Sequence, residues 1–145
     1  NLGKRLTKSP KLYVRDSGLL HALLGLATDE SLLGHPAVGA SWEGFVIENL
    51  IAAAGPNTTP YFYRTSGGAE VDLLLVLPGD RLWAIEVKRS LSPKVERGFH
   101  AACDDLQPVR KVVVCPGAET FALGNDIQAM PLMALCDALS LATAP

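Results

Sequence analysis

The sequence predicts a mixed α/β (α+β) domain in which a mixed central sheet is flanked by helices. Three observations carry this. Apolar residues recur at helical spacing up to Gly55-Pro56 and alternate with period two beyond it. Two amphipathic strands joined by Pro78-Gly79-Asp80 form a hairpin. A helix then crosses over to a valine run, an order that needs both antiparallel and parallel pairing. With 145 residues, 48% apolar and 19% charged, the composition is that of one folded domain.

Asp16 is suited to cap a short helix through Leu19, Leu20, Leu23 and Leu24 that ends near Gly25. A longer helix runs from about Val38 to Ala54, because Trp42, Phe45, Val46, Asn49 and Leu50 share its spacing and Gly55-Pro56 stops it. Strands follow over 61–65, 70–77 and 82–88, with Ser66-Gly67-Gly68 as the first turn. Ser92-Pro93 has the form of a helix start, with Ser at the cap and Pro at the first position, and Val95, Phe99, Ala102, Cys103 and Leu106 supply the apolar stripe. Residues 111–115, mostly valine, read as a strand buried on both faces. A strand over 127–130 and a helix over 131–141 complete the chain. The predicted order is α, α, β, β, β, α, β, β, α.

The formal charge of −2 excludes a uniformly basic nucleic-acid coat protein. That total hides segments of +5 (residues 1–15), −7 (16–80), +3 (81–111) and −3 (112–145). Cys103, Cys115 and Cys136 form no CxxC pair or zinc-spaced set, so they read as small core residues of a reducing, cytoplasmic compartment. His21, His35 and His100 do not cluster, and Trp42 and Trp83 read as core anchors. Ser9, Ser41 and Ser66 lack a GxSxG setting, and no GxxxxGK[ST] occurs. No apolar run approaches the ~20 residues of a membrane span.

The chemistry lies in Glu70-Val71-Asp72 and Glu86-Val87-Lys88. Strand alternation puts Glu86 and Lys88 on one face and Ile85 and Val87 on the other; Glu70 and Asp72 likewise share a face. If Pro78-Gly79-Asp80 is the loop, Leu77 faces Arg81 and Asp72 faces Glu86, whereas a two-residue loop slips the pairing by one. Proline cannot donate to the ladder, which favours the longer loop. Like charges facing each other on a sheet are unfavourable unless a divalent cation lies between them. Spacing leaves a second reading open, in which Glu70 and Lys88 form an ordinary cross-strand ion pair. Arg64, the sole base between residues 16 and 80, suits either a phosphate contact or a partner for Glu70 or Asp72. Lys88, Arg89, Lys94 and Arg97 could line a phosphate-facing rim or a solvated helix face.

Asp72, a hairpin and then Glu86-Val87-Lys88, between a preceding acidic helix and a following helix and strand, resembles the PD-(D/E)XK nuclease superfamily. Its restriction-endonuclease-like core, α-β-β-β-α-β, matches the reading from residue 38 to 115. More narrowly, the chain is similar to the C-terminal domain of unknown function found on bacterial and archaeal AAA-type ATPases. The stretches that carry this run from Lys8-Ser9-Pro10-Lys11-Leu12-Tyr13-Val14-Arg15-Asp16 to Leu20, then Trp42-Glu43-Gly44-Phe45-Val46-Ile47-Glu48, Tyr63-Arg64-Thr65, Glu70-Val71-Asp72 and Glu86-Val87-Lys88. The resemblance implies that a P-loop ATPase domain precedes Asn1 in a parent protein. Residues 1–30 would be the linker and short helix at that junction, and residues 31–145 the nuclease-like domain.

By the same resemblance Asp72 and Glu86 would ligate Mg²⁺ (or Mn²⁺), Lys88 would position water or stabilise the transition state, and Glu43 would complete the site from the helix. Glu48 is the rival for that last role. Lying five residues from Glu43, it sits about 140° around the helix, so the two do not share a face well. Three functions follow as expectations: metal-dependent cleavage of DNA; a non-catalytic DNA-binding module; or a protein-interaction or dimerisation module, in keeping with a mean hydropathy of +0.21.

Overall fold

The structure, a computed structural model, describes residues 11–144. Lys4, Arg5 and Lys8, with Ser9 and Pro10, lie outside the described residues.

Helix α1 (Ser17–Leu23) starts where Asp16 accepts a hydrogen bond from the Leu19 N–H at 2.9 Å. A short helix absent from the sequence prediction, α2 (Asp29–Leu33), follows. Its signal is Thr28-Asp29-Glu30-Ser31: Thr28 and Ser31 bond each other's backbone N–H groups in a capping box. Helix α3 (Val38–Ala54) has the expected bounds and buries Val46, Ile47, Leu50 and Ala54. Strands β1 (Thr59–Arg64), β2 (Glu70–Leu77) and β3 (Arg81–Val87) make two antiparallel pairs. Leu77 pairs with Arg81 and Leu73 with Ile85, the register expected of the three-residue loop.

Helix α4 (Arg97–Leu106) begins later than the Ser92-Pro93 signal predicts. Pro93 is buried and Val95 packs into the core, so both anchor a loop rather than open a helix. The helix itself starts where Gly98 meets the β1–β2 turn. A Cβ on Gly98 would stand 2.5 Å from the Gly68 carbonyl oxygen, so this approach admits only glycine.

Strand β4 (Arg110–Val114) pairs in parallel with β3, and β6 (Ile127–Met130) in parallel with β4. A second unforeseen element, β5 (Phe121–Gly124), forms an antiparallel hairpin with β6 through Asn125 and Asp126, both left-handed. Helix α5 (Leu132–Thr143) closes the fold. The mixed six-stranded sheet runs β1-β2-β3-β4-β6-β5, and its centre keeps the α-β-β-β-α-β order.

Helices cover both faces. Leu73, Leu75, Leu77, Ile85, Val112 and Val114 pack with Val46 and Leu50 of α3 and Leu135 and Leu139 of α5. Val71, Leu74, Ala84 and Val113 pack with Phe99 and Ala102 of α4. Burial on both faces accounts for the unbroken valines of β4. Val71 and Leu74, three apart, lie in the same core, so the alternation of β2 breaks between them. The pairing with β1 shifts at the same point, two residues of β2 facing one of β1: a β-bulge at Asp72 and Leu73.

Cys103 and Cys115 are buried and Cys136 half-buried, all as free thiols. His21 bonds Ser41, and His35 accepts from the Ala37 N–H. Trp83 is a core residue. Among the described residues no helix is long and apolar enough to cross a membrane.

Candidate functional site

The bulge in β2, the end of β3, the second turn of α3 and the start of α4 converge at one end of the sheet. They enclose a cleft of about 420 Å³ whose polar lining includes Lys11, Glu43, Glu70, Asp72, Glu86 and Lys88. Backbone geometry holds these groups in place. The last β2–β3 pair is Leu73 with Ile85, and one step beyond it the Asp72 Oδ2 accepts the Val87 N–H at 3.0 Å. A side-chain carboxylate thus serves where a strand carbonyl would have, which fixes its direction. The Lys88 N–H donates to the Val114 carbonyl at 2.8 Å, and the Trp42 Nε1–H donates to the Lys88 carbonyl at 3.3 Å. Trp42 therefore ties α3 to the end of β3, beyond its expected role as a core anchor.

Residues 11–15 cross this site as a strap without regular secondary structure. Alternate side chains face the domain. Lys11 meets Glu43, Glu70 and Asp72; Tyr13 donates its hydroxyl to Glu43; Arg15 pairs with Glu48 at 2.8 Å. Leu12 and Val14 turn outward, 87% and 45% exposed. The Lys11 ammonium lies 3.0 Å from Asp72 Oδ1 and 3.7 Å from Glu70 Oε1, and 5.1 Å from the centre of the Phe62 ring. Gly44 makes room for the strap: a Cβ there would press to 3.3 Å from Tyr13 Cδ1. In Trp42-Glu43-Gly44 each residue thus has a separate task at the site.

The electrostatics follow from burial and crowding. Burial, followed by the Asp72 charge, pushes the Glu86 carboxyl up to about 7, against the opposing pull of Lys88, whose Nζ lies 3.0 Å from Glu86 Oε1. Burial works to lower the Lys11 pKa, but its bonds to Glu43 and Asp72 outweigh that and hold it well above the usual lysine range. Lys88 behaves alike: burial lowers, Glu86 raises further. Burial and then Glu43 raise the Tyr13 hydroxyl. Both lysines are therefore fixed cations at neutral pH.

Of the residues singled out from sequence, Glu43, Glu70, Asp72, Glu86 and Lys88 line the one cleft. Glu48 does not: it faces Arg15 outside it, as the helical angle between Glu43 and Glu48 requires. Arg64 pairs with Glu70 at 3.3 Å, the carboxylate-partner arrangement among its two sequence roles. The alternative Glu70–Lys88 pair is replaced by Arg64–Glu70 and Lys88–Glu86. Lys94 and Arg97 are exposed, and Arg89 borders a separate apolar hollow beside His21 and Trp42. Lys11 and Tyr13 were not among the predicted site residues. The available signal was charge: a basic segment preceding an acidic one whose sole base is Arg64.

Carboxylate oxygens are hard donors of the kind Mg²⁺ and Mn²⁺ prefer, so the donor set at Glu43, Asp72 and Glu86 suits either ion. The present spacing is nevertheless set by an ammonium. Among the described residues no three His, Cys, Asp or Glu side chains are grouped to hold a metal ion.

The family described as "Domain of unknown function (DUF4143)" matches residues 38–135, and a second, "Domain of unknown function (DUF8612)", matches residues 1–30. The chain is 45% identical over 131 residues to "Uncharacterized protein Rv2008c" of Mycobacterium tuberculosis and, equally, to "Uncharacterized protein Mb2031c" of Mycobacterium bovis. The alignment covers 90% of this chain and 29% of each relative, so the chain spans under a third of their length. No solved structure matches.

Proposed function

The chain belongs to the DUF4143 family, and we propose that it is the nuclease-like domain of an AAA-type ATPase and hydrolyses DNA phosphodiesters with a divalent metal. The observation that carries this reading is the convergence of Glu43, Asp72, Glu86 and Lys88 on one cleft. The resemblance to PD-(D/E)XK nucleases names those same positions. The coverage of only 29% of its relatives leaves room for an ATPase domain elsewhere in a longer protein.

In this reading Asp72, Glu86 and Glu43 hold the ion. Mg²⁺ would supply Lewis-acid activation of the phosphate and of a water. Asp72, aimed by the Val87 N–H, presents a fixed oxygen to the cleft. Lys88, anchored through its backbone to Trp42 and Val114, orients the water or meets charge developing on the phosphate. The test is incubation of the chain and its Asp72→Ala and Lys88→Ala variants with plasmid, linear and branched DNA plus Mg²⁺ or Mn²⁺. Metal-dependent cleavage lost in both variants supports the reading; absent cleavage, or cleavage unchanged in the variants, sinks it.

A second reading, a non-catalytic DNA-binding or protein-interaction module with a relic site, is favoured by Lys11, whose ammonium already pairs with Glu43 and Asp72. DNA binding that needs no metal and yields no cleavage would select it. Sedimentation as a clean monomer would count against its self-associating form.

A further inference from the structure

We propose that the Lys11 strap is a built-in competitor for the cation: docking of Lys11 among Glu43, Glu70 and Asp72 and binding of a divalent ion by Glu43, Asp72 and Glu86 exclude one another, because both use Glu43 and Asp72. This rests on the metal-binding reading above and adds a regulator to it.

The Lys11 ammonium contacts Glu43 and lies 3.0 Å from Asp72 and 3.7 Å from Glu70, so it engages two of the three carboxylates that would hold the ion. Glu43 and Asp72 cannot turn to an ion while bonded to Lys11, and a divalent ion beside a fixed ammonium meets direct repulsion. The strap, in turn, is held by side chains that end on the site or beside it and by the Tyr13 ring, which packs against the core. Tyr13 bonds Glu43, and Arg15 reaches Glu48 with an 81% exposed side chain, a grip that water weakens. Leu12 is turned to solvent. Losing the Lys11 pairs and the Tyr13–Glu43 bond would leave only the Tyr13 ring and Arg15 to hold residues 11–15, so the strap would loosen, and anything that draws it away would open the cation site. Coupling of this kind is reciprocal: the factor by which the docked strap weakens the ion is the factor by which the ion weakens the strap.

Mn²⁺ is the probe. Binding is followed by the loss of the free Mn²⁺ resonance in the 145-residue chain, in Lys11→Met and in Lys11→Met/Asp72→Asn, with far-UV circular dichroism confirming that each is folded. Lys11→Met is expected to bind roughly 5–150-fold more tightly than the wild type, the ordinary range for linked sites, and the added Asp72→Asn to abolish the gain. In the wild type, Mn²⁺ is expected to speed tryptic cleavage after Lys11 and Arg15. Equal Mn²⁺ affinity in wild type and Lys11→Met overturns the competition but leaves the metal reading standing. No binding by folded Lys11→Met overturns both. A gain that survives Asp72→Asn, or strap cleavage indifferent to Mn²⁺, also overturns it.

Discussion

Replacing Glu86 with glutamine (Glu86→Gln) should stabilise the metal-free protein at neutral pH and leave it unchanged in acid. Glu86 is 7% exposed, and burial beside Asp72 raises its pKa from 4.5 to about 7. The folded chain therefore binds this proton more tightly than the unfolded chain does. Its contribution to stability is complete below pH 4.5 and is lost as the pH rises through 7. At ~1.36 kcal/mol per pKa unit the loss amounts to about 3 kcal/mol. The glutamine amide is uncharged throughout, so the variant's advantage should grow from nothing near pH 4.5 to about 3 kcal/mol at pH 8. With urea slopes of roughly 1–3 kcal/mol/M, that is a midpoint shift of roughly 1–3 M. Urea titrations from about pH 4.5 to about pH 8, read from the buried Trp83 with EDTA present, measure it. A gap that does not change with pH, or a variant less stable than wild type at the alkaline end, would show that burial does not raise the Glu86 pKa.

Gly98→Ala drives a methyl group towards the Gly68 carbonyl at 2.5 Å and should cost about 1–3 kcal/mol by overpacking, seen as a lower urea midpoint with α4 displaced. Leu50→Ala, at a fully buried position where α3 meets the sheet, should cost about 2–5 kcal/mol in the same assay. Burial pushes the Cys103 thiol up to about 11, so at mildly alkaline pH it should react with a disulfide reagent far more slowly in the folded chain than in urea. Comparable rates in both states would show that the α4 side of the core opens readily.

Local signals served where one interaction decides an element. Helix α3 ends at Gly55 because the chain turns left-handed there, and the β2–β3 register follows from the length of one turn. Both are contacts between residues close in sequence. Signals failed where a local motif competes with a distant contact. Ser92-Pro93 has every local mark of a helix start, yet Pro93 is buried and the helix waits for Gly98 to meet Gly68, a residue far back along the chain. The short elements α2 and β5 offered too few residues for a period to show, although their capping box and left-handed Asn125-Asp126 turn are visible once sought.

The candidate site divides in the same way. Turn length sets the β2–β3 register as far as Leu73 and Ile85, and the helical angle keeps Glu43 and Glu48 off one face. The choice of Glu43 rests on the family resemblance of Trp42-Glu43-Gly44-Phe45-Val46, and the bulge at Asp72 and Leu73 left no mark in the strand pattern. Which carboxylates gather was therefore legible only with the family resemblance set beside the strand and helix geometry. What neutralises them emerged only from the folded path. Lys11 reaches Asp72 across 61 positions because the strap lies along α3, over the space that Gly44 leaves for Tyr13. An ion pair depends on where the chain path brings two charges, and a long flexible side chain leaves no periodic trace of its destination in the sequence.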